Sequence, residues 1–252
     1  GSCPLRNVHD DEMSQNNAPY ASKAQLQKIL NEADAVRNPL QGLEGFSSFT
    51  FEHADTSGSA ETKVLVKANV TYRQDLSKRL QKGCMALFQQ NMSGHYKKSK
   101  WGLDLPAKLK ELQHKKARFL VLTREDNNVS LSKTDESEIL SFAHFRFEFD
   151  DDEQPSYPVL YVYELQVKNE YQRHGFGRKM MSIMELIAMK SSMAYVMLTV
   201  FLHNDLAMNF YLQKMKYSIS DNSPSKFITN GEEEETADYE ILWKSVSKKI
   251  NK

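Results

Sequence analysis

The chain has 252 residues, and its 33 basic side chains are balanced by 33 acidic ones, so the formal net charge is zero. That balance leaves no global field to hold DNA or an anionic membrane surface, and any electrostatic recognition has to be local. Two cysteines, Cys3 and Cys84, make no disulfide framework and fit a reducing compartment, and no apolar run approaches the roughly 18 residues of a membrane span.

Residues 1–19 are polar and aperiodic and read as a flexible tail. From Tyr20 to Val36, the side chains of Leu26, Ile29, Leu30, Ala33 and Val36 share one face, which predicts a packed helix ended by Asn38-Pro39. Strand-like alternation over Ser47–His53 and Lys63–Tyr72 flanks a turn signal, Asp55-Thr56-Ser57-Gly58. Asp75–Met92 predicts a second amphipathic helix, with Leu76, Leu80, Cys84, Leu87 and Phe88 at helical spacing and Ser93-Gly94 as its stop. Cys84 on the apolar face reads as a small packed hydrophobe rather than a nucleophile. Residues 95–106 read as a basic loop carrying two aromatic anchors, Tyr96 and Trp101, and Pro106 opens a short helix to Lys116.

Arg118–Thr123 is the next expected strand. In the one after it, Glu138–Phe149, Phe145, Phe147 and Phe149 alternate with His144, Arg146 and Glu148. An acidic turn over Asp150–Glu153 leads to Val159–Val167, an apolar and tyrosine-rich buried strand. A polar turn, Gly175-Phe176-Gly177 and a long amphipathic helix follow. Tyr195–Phe201 is another buried strand, and Asp205 is the expected N-cap of a helix over Leu206–Met215. Lys216–Ser220 suggests a short strand, residues 221–238 a loop with a solvated Glu232–Glu235 run, and Tyr239–Trp243 a strand closing the sheet. Strict βα alternation is missing, so the expected class is α+β, a mostly antiparallel sheet flanked by helices.

The strand, glycine turn and helix from Val159 to Ser191 form an anion-binding device. First-turn N–H groups of a helix lack intrahelical partners, the dipole adds positive charge, and glycine lets an anion approach the backbone. Spacing narrows its class. A P-loop would need Gly, four residues and Gly-Lys-Ser/Thr, which is absent, and a dinucleotide fingerprint would need a small residue where Met180 stands. Gln172-Arg173-His174-Gly175-Phe176-Gly177 instead resembles the Gln/Arg-x-x-Gly-x-Gly/Ala loop of the acetyl-CoA-dependent GNAT acetyltransferases. Asn204, Ala207, Phe210 and Tyr211 fall at the spacing that this superfamily shows in its next strand–helix unit, so the resemblance covers Arg118–Trp243.

A closer resemblance is to the NatD-type enzymes, N-terminal acetyltransferases of the Ser-Gly-Arg-Gly-Lys start of histone H4 and one other core histone. It is carried by His144-Phe145-Arg146-Phe147, Leu160–Glu164, Val196–Phe201 with His203-Asn204, Ser223-Pro224-Ser225, and the spacing of Tyr96 and Trp101. It implies a GNAT fold with an N-terminal helical segment wrapping the core. One domain would span 20–247, with N-terminal helices and first strands over 20–117 and an acetyl-CoA-binding core over 118–243. It further implies a monomer of cytoplasm and nucleus, with no metal, membrane or direct nucleic-acid contact.

By the same resemblance Glu164 is the general base, acting through a water, with Tyr161 and Tyr163 beside the substrate amine. A peptide α-amine has a pKa near ~8, so a modest base suffices, and partial burial would raise a carboxylate toward that duty. Tyr211 is the candidate general acid, with Tyr239 or Tyr163 as stand-ins. Gly175, Gly177 and the flanking Arg173, His174, Phe176 and Arg178 would hold the acetyl-CoA pyrophosphate, mostly through backbone N–H groups. Leu165, Gln166 and Val167 would present backbone groups to the pantetheine arm, from a strand that is usually bulged and splayed in this superfamily, and Asn204 would touch the cofactor. Peptide binding would fall to Tyr96, Trp101, Glu148, Asp150, Tyr163, Thr199, Asn222 and Tyr239. The carboxylates of Glu148 and Asp150 suit an arginine at the substrate's third position; the family order, Asp then Glu, is reversed here. The alternatives are a lysine or small-amine acetyltransferase of the same fold and a non-catalytic acyl-CoA-binding module.

Overall fold

A computed structural model of the chain describes residues 22–54, 61–124, 139–151, 153–227 and 237–246. The expected tail 1–19, Cys3, the turn at 55–58 and the acidic run 232–235 lie outside the described residues. Among the described residues eight strands form one sheet: β1 (Ser48–Ala54), β2 (Glu61–Tyr72), β3 (Arg118–Arg124), β4 (Ile139–Phe149), β5 (Pro158–Val167), β6 (Tyr195–Phe201), β7 (Ser218–Ile219) and β8 (Tyr239–Ser245). Their spatial order is β1-β2-β3-β4-β5-β6-β8-β7, and every pairing is antiparallel except β5 with β6. The last strand in the chain therefore joins the sheet from inside, between β6 and β7. β8 buries Leu242 completely and pairs on both sides, whereas β7 is only two residues long.

The helices are α1 (Lys23–Ala35), α2 (Lys78–Lys98), α3 (Leu105–Leu112), α4 (Phe176–Lys190) and α5 (Asp205–Asn209). The main core joins α1 and α4 to one face of the sheet through Leu30, Phe145, Phe147, Val162, Met184 and Ile187. A second core, with Cys84, Phe88, Leu112, Phe119 and Phe142, joins α2 and α3 to the sheet. Ser22, Ser77 and Asp104 cap α1, α2 and α3 by accepting the N–H groups of Gln25, Leu80 and Ala107.

Arg118 fastens α1. Its side chain is fully buried, Nη1 donates to Val36 O at 2.8 Å, and Nη2 donates to Ala33 O at 3.0 Å and Asp34 O at 2.8 Å. A helix C-terminus leaves carbonyls unpaired and favours a nearby cation, so one guanidinium satisfies both demands.

Two helix ends differ from expectation. α2 runs through Ser93-Gly94 to Lys98, so Tyr96 is helical and Trp101 alone lies beyond the helix. A mid-helix glycine costs about 1 kcal/mol against alanine. Tyr96 packs edge-on against Phe88 at 5.4 Å and Phe201 at 5.1 Å, contacts large enough to offset that cost. Asn204, not Asp205, caps α5 by accepting from Ala207 N–H, and the helix passes at Phe210–Lys214 into a π-helical turn.

What opens the site is the behaviour of β5. It pairs with β4 along its whole length but with β6 only over Val159–Val162. Beyond Val162 the two strands part.

Candidate active site

The first cavity owes its lining to a bulge. His144 stands opposite Glu164 and Phe145 opposite Val162, so Tyr163 is an extra residue in β5. Strict alternation would put Tyr163 and Glu164 on opposite faces. With the extra residue, Val162 and Leu165 both pack on the core, Tyr163 and Glu164 stand side by side, and the whole run Tyr161–Gln166 lines a cavity of about 440 Å³.

Glu164 is 5% exposed there. Oε1 accepts from Lys108 Nζ and Oε2 from Gln166 Nε2, each at 2.8 Å. Burial pushes the carboxyl pKa up, the Lys108 ammonium pulls it down, and burial wins. For Lys108, burial works against the charge, but Glu164 and Glu111 outweigh it and the pKa rises above the ordinary lysine value. Burial pushes Tyr161 up to about 12, and burial with the Glu148 charge raises Tyr163 further. Both phenols are therefore neutral at ordinary pH. The Tyr161 hydroxyl is hydrogen-bonded to Thr199, and Tyr163 donates to Glu148 Oε2 at 2.6 Å. Tyr211 is buried in the π-helical turn, and burial followed by the Glu164 charge raises its pKa.

On the expected peptide side, Tyr96, Trp101, Glu148, Asp150 and Thr199 all line this cavity. Trp101 is 50% exposed and packs on Phe201 at 5.2 Å and Tyr239 at 4.9 Å, which places Tyr239 beside Trp101 and outside the lining itself. Asp150 does more than line the cavity: Oδ1 accepts the N–H groups of Ser156 and Tyr157 at 2.9 and 2.8 Å, stapling the turn before β5. Asn222 is not brought to the site. It is exposed beside Ser223, whose own hydroxyl is buried against Glu240.

A second cavity of about 800 Å³ adjoins the first, and the two share a wall that includes Met92, Leu165, Gln166, Asn204 and Tyr211. Its far end is the glycine turn. Gly175 is the N-cap of α4 at φ +86°, Arg173 is also left-handed at +65°, and no side chain caps the helix. A Cβ on Gly177 would come within 3.3 Å of Phe210 Cζ, tighter than an ordinary contact, so glycine keeps the backbone clear of that ring. Uncapped first-turn N–H groups flanked by the exposed Arg173 and Arg178 fit a pyrophosphate. The side chains of His174 and Phe176 take no part in this lining. His174 lies edge-on to Phe51 at 5.3 Å, and Phe176 is buried against Phe51 at 4.8 Å, which leaves their backbone for an anion. Two further expectations change in detail. The Val167 carbonyl already accepts from Asn91 Nδ2 at 3.0 Å and Gln172 Nε2 at 3.1 Å, and the Asn204 oxygen is taken by its capping role.

Lys108, Glu111 and Arg146 are site residues that the sequence reading did not single out. Arg146 stacks its guanidinium over Tyr163 at 4.2 Å and donates to the Glu111 carbonyl at 2.8 Å. Lys108 had a legible signal, since it stands in an otherwise apolar helical stripe between Leu105 and Leu112. Among the described residues no group of His, Cys, Asp and Glu could hold a metal ion.

Residues 94–217 match the family model described as the acetyltransferase (GNAT) family. Solved structures similar to this chain include an acetyltransferase of the GNAT family from Staphylococcus aureus MU50, at 11% identity and TM-score 0.47, covering 71% of this chain and 99% of that one. The PaiA N-acetyltransferase of Thermoplasma acidophilum, in complex with coenzyme A, aligns at 15% identity and TM-score 0.45, over 71% of this chain and 98% of that one. Naa20 of Chaetomium thermophilum, in complex with a bisubstrate analogue, aligns at 16% identity and TM-score 0.44, over 71% and 86% respectively.

Proposed function

We propose, from the match of residues 94–217 to the acetyltransferase (GNAT) family and the lining of the two cavities, that the protein acetylates the free α-amine of an N-terminal serine, in the manner of the NatD-type enzymes. The proposed substrates are the histone tails that begin Ser-Gly-Arg-Gly-Lys, which the protein would meet as a monomer in cytoplasm and nucleus. When bound, acetyl-CoA supplies an acetyl group activated as a thioester, with a thiolate as leaving group.

The glycine turn and the uncapped start of α4 hold the donor phosphates, and the shared wall at Leu165 and Gln166 sets the depth of the thioester. Tyr161 and Tyr163, neutral phenols on the cavity face of β5, confine the serine amine. Glu164 accepts the amine proton through a water at its carboxylate. Tyr211, which reaches both cavities, donates its phenolic proton to the departing sulfur. Glycine at the second substrate position leaves room for close approach. Glu148 and the remaining oxygen of Asp150 take the arginine at the third by charge-assisted hydrogen bonds.

The observation that carries this reading is the bulge at Tyr163, which sets Tyr163 and Glu164 side by side on β5 at a cavity that Tyr161, Glu148 and Asp150 also line. The test is a Ser-Gly-Arg-Gly-Lys peptide incubated with acetyl-CoA and followed by mass, beside the same peptide with its amine blocked. One acetyl on the free peptide and none on the blocked one is expected. Acetylation of the blocked peptide would move the activity to lysine and refute the N-terminal reading.

A further inference from the structure

The ion pair behind Glu164 has no part in the steps above. Lys108 reaches across from α3, 56 residues earlier in the chain, and is only 7% exposed. Lysine is almost never buried to this degree without a partner. Its ammonium donates to Glu111 Oε1 and Glu164 Oε1, both at 2.8 Å, and lies over the rings of Phe88 and Tyr96 at 5.1 and 5.3 Å. Two of its three donors are thus spent on carboxylates, and aromatic faces surround the rest. A carboxylate buried like Glu164 with no cation beside it would take up a proton rather than stay charged.

We propose that Lys108 is a positioning residue for the transfer: wedged between Glu111 and Glu164, its ammonium keeps the Glu164 carboxylate ionised and fixed at the cavity wall. The proposal rests on the reading of Glu164 as the base. Around Glu164 stand Lys108 and Glu111 on α3, Tyr96 on α2, His144 on β4, Tyr163 and Gln166 on β5, and Tyr211 on the π-helical turn, while Arg146 of β4 lies over the Tyr163 ring. The phenols are neutral because burial raises them, and His144 is neutral because burial, then Arg146 and Lys108, push its pKa well down. The charges closest to Glu164 are therefore those of Lys108 and Glu111, and they act in opposite directions.

That opposition supplies the test. The acid limb of kcat is measured with acetyl-CoA and peptide saturating, so that ionisation of the free substrate amine does not enter. Lys108→Met should move the limb to higher pH by at least about one unit, a tenfold loss below the limb that recovers at alkaline pH. Glu111→Gln should move it to lower pH, because the cation is then undivided, and Lys108→Arg should stay near the parent. A Lys108→Met loss that is equal at every pH, or a limb left in place, overturns the proposal. Should Lys108→Met fail to fold by circular dichroism, Glu111→Gln decides alone: a limb unmoved or moved upward overturns it. Glu164→Gln separates the two readings. Full kcat in that variant removes Glu164 as the base. Loss of the limb in Glu164→Gln, with Lys108→Met and Glu111→Gln both unshifted, removes only the role of Lys108.

Discussion

Gly175 offers a perturbation whose cost can be followed to its destination. It sits at φ +86° as the N-cap of α4, and a Cβ added there meets nothing within 4 Å. Gly175→Ala therefore isolates one quantity, the cost of a left-handed backbone with an L side chain, about 1–2 kcal/mol. If the turn keeps its shape, that cost appears as lost stability. If the turn relaxes to negative φ, the first-turn N–H groups leave the second cavity and the cost appears in donor binding. The two losses together should reach about 1–2 kcal/mol, a factor of roughly 5–30 in the affected equilibria. Urea unfolding of the free protein reads the first, and calorimetric titration with coenzyme A reads the second. Gly177→Ala is the contrasting control. Its φ is not left-handed, so alanine there carries no left-handed cost, while the Cβ crowds Phe210 at 3.3 Å and coenzyme A affinity should fall. Less than about 0.5 kcal/mol of combined loss in Gly175→Ala would refute a left-handed cap at this turn.

Three other outcomes follow from contacts described above. Arg118→Met removes three hydrogen bonds from the α1 carbonyls, which keep Tyr72 and the Val36 N–H as donors, and should cost about 1–3 kcal/mol in urea unfolding, with faster amide exchange in α1; a loss below about 0.5 kcal/mol would contradict the fastening role. His144 is held neutral by burial, so its contribution to stability is full above its unfolded pKa near ~6.5 and is lost as pH falls below it. His144→Phe, which suits the stacks on Phe119 and Tyr163 at 5.2 and 5.0 Å, should flatten the fall in stability below that pH, and an unchanged slope would exclude His144 as its source. Glu148→Gln should raise the peptide KM with stability within about 0.5 kcal/mol, whereas Asp150→Ala should raise KM and also lose about 1–3 kcal/mol as the turn loses its staple; equal stability in the two variants would deny Asp150 that second role.

The glycine turn was legible in the sequence because its constraint is local: two glycines two apart, before an amphipathic run and after an apolar strand. The helices and the mixed, mostly antiparallel sheet followed from periodicity for the same reason. Glu164 could be suspected, but not which way it faces. Alternation puts it opposite Tyr163, and only the bulge, which depends on pairing with His144 and Phe145 in β4, brings both to one cavity. Its partners were harder still, since Lys108 and Glu111 arrive on a helix joined to β5 by no local pattern. Gly94 misled for a physical reason: a glycine is a common stop, but here the packing of Tyr96 on two phenylalanines carries the helix past it. Asn222 was placed by analogy of position alone, and the loop puts Ser223, not Asn222, in the buried place.

The parting of β5 from β6 after Val162 leaves two cavities that touch along one wall, each with a lining of its own. On the proposed function, neither ligand has to leave for the other to arrive. Initial-rate plots against the two substrates should then intersect rather than run parallel, and coenzyme A should compete with the donor and not with the peptide. The same adjacency favours a single molecule that spans the wall. A peptide joined through its N-terminus to coenzyme A meets the second cavity at an effective concentration set by a very short tether, so its affinity should exceed that of either half by roughly 10²–10⁴.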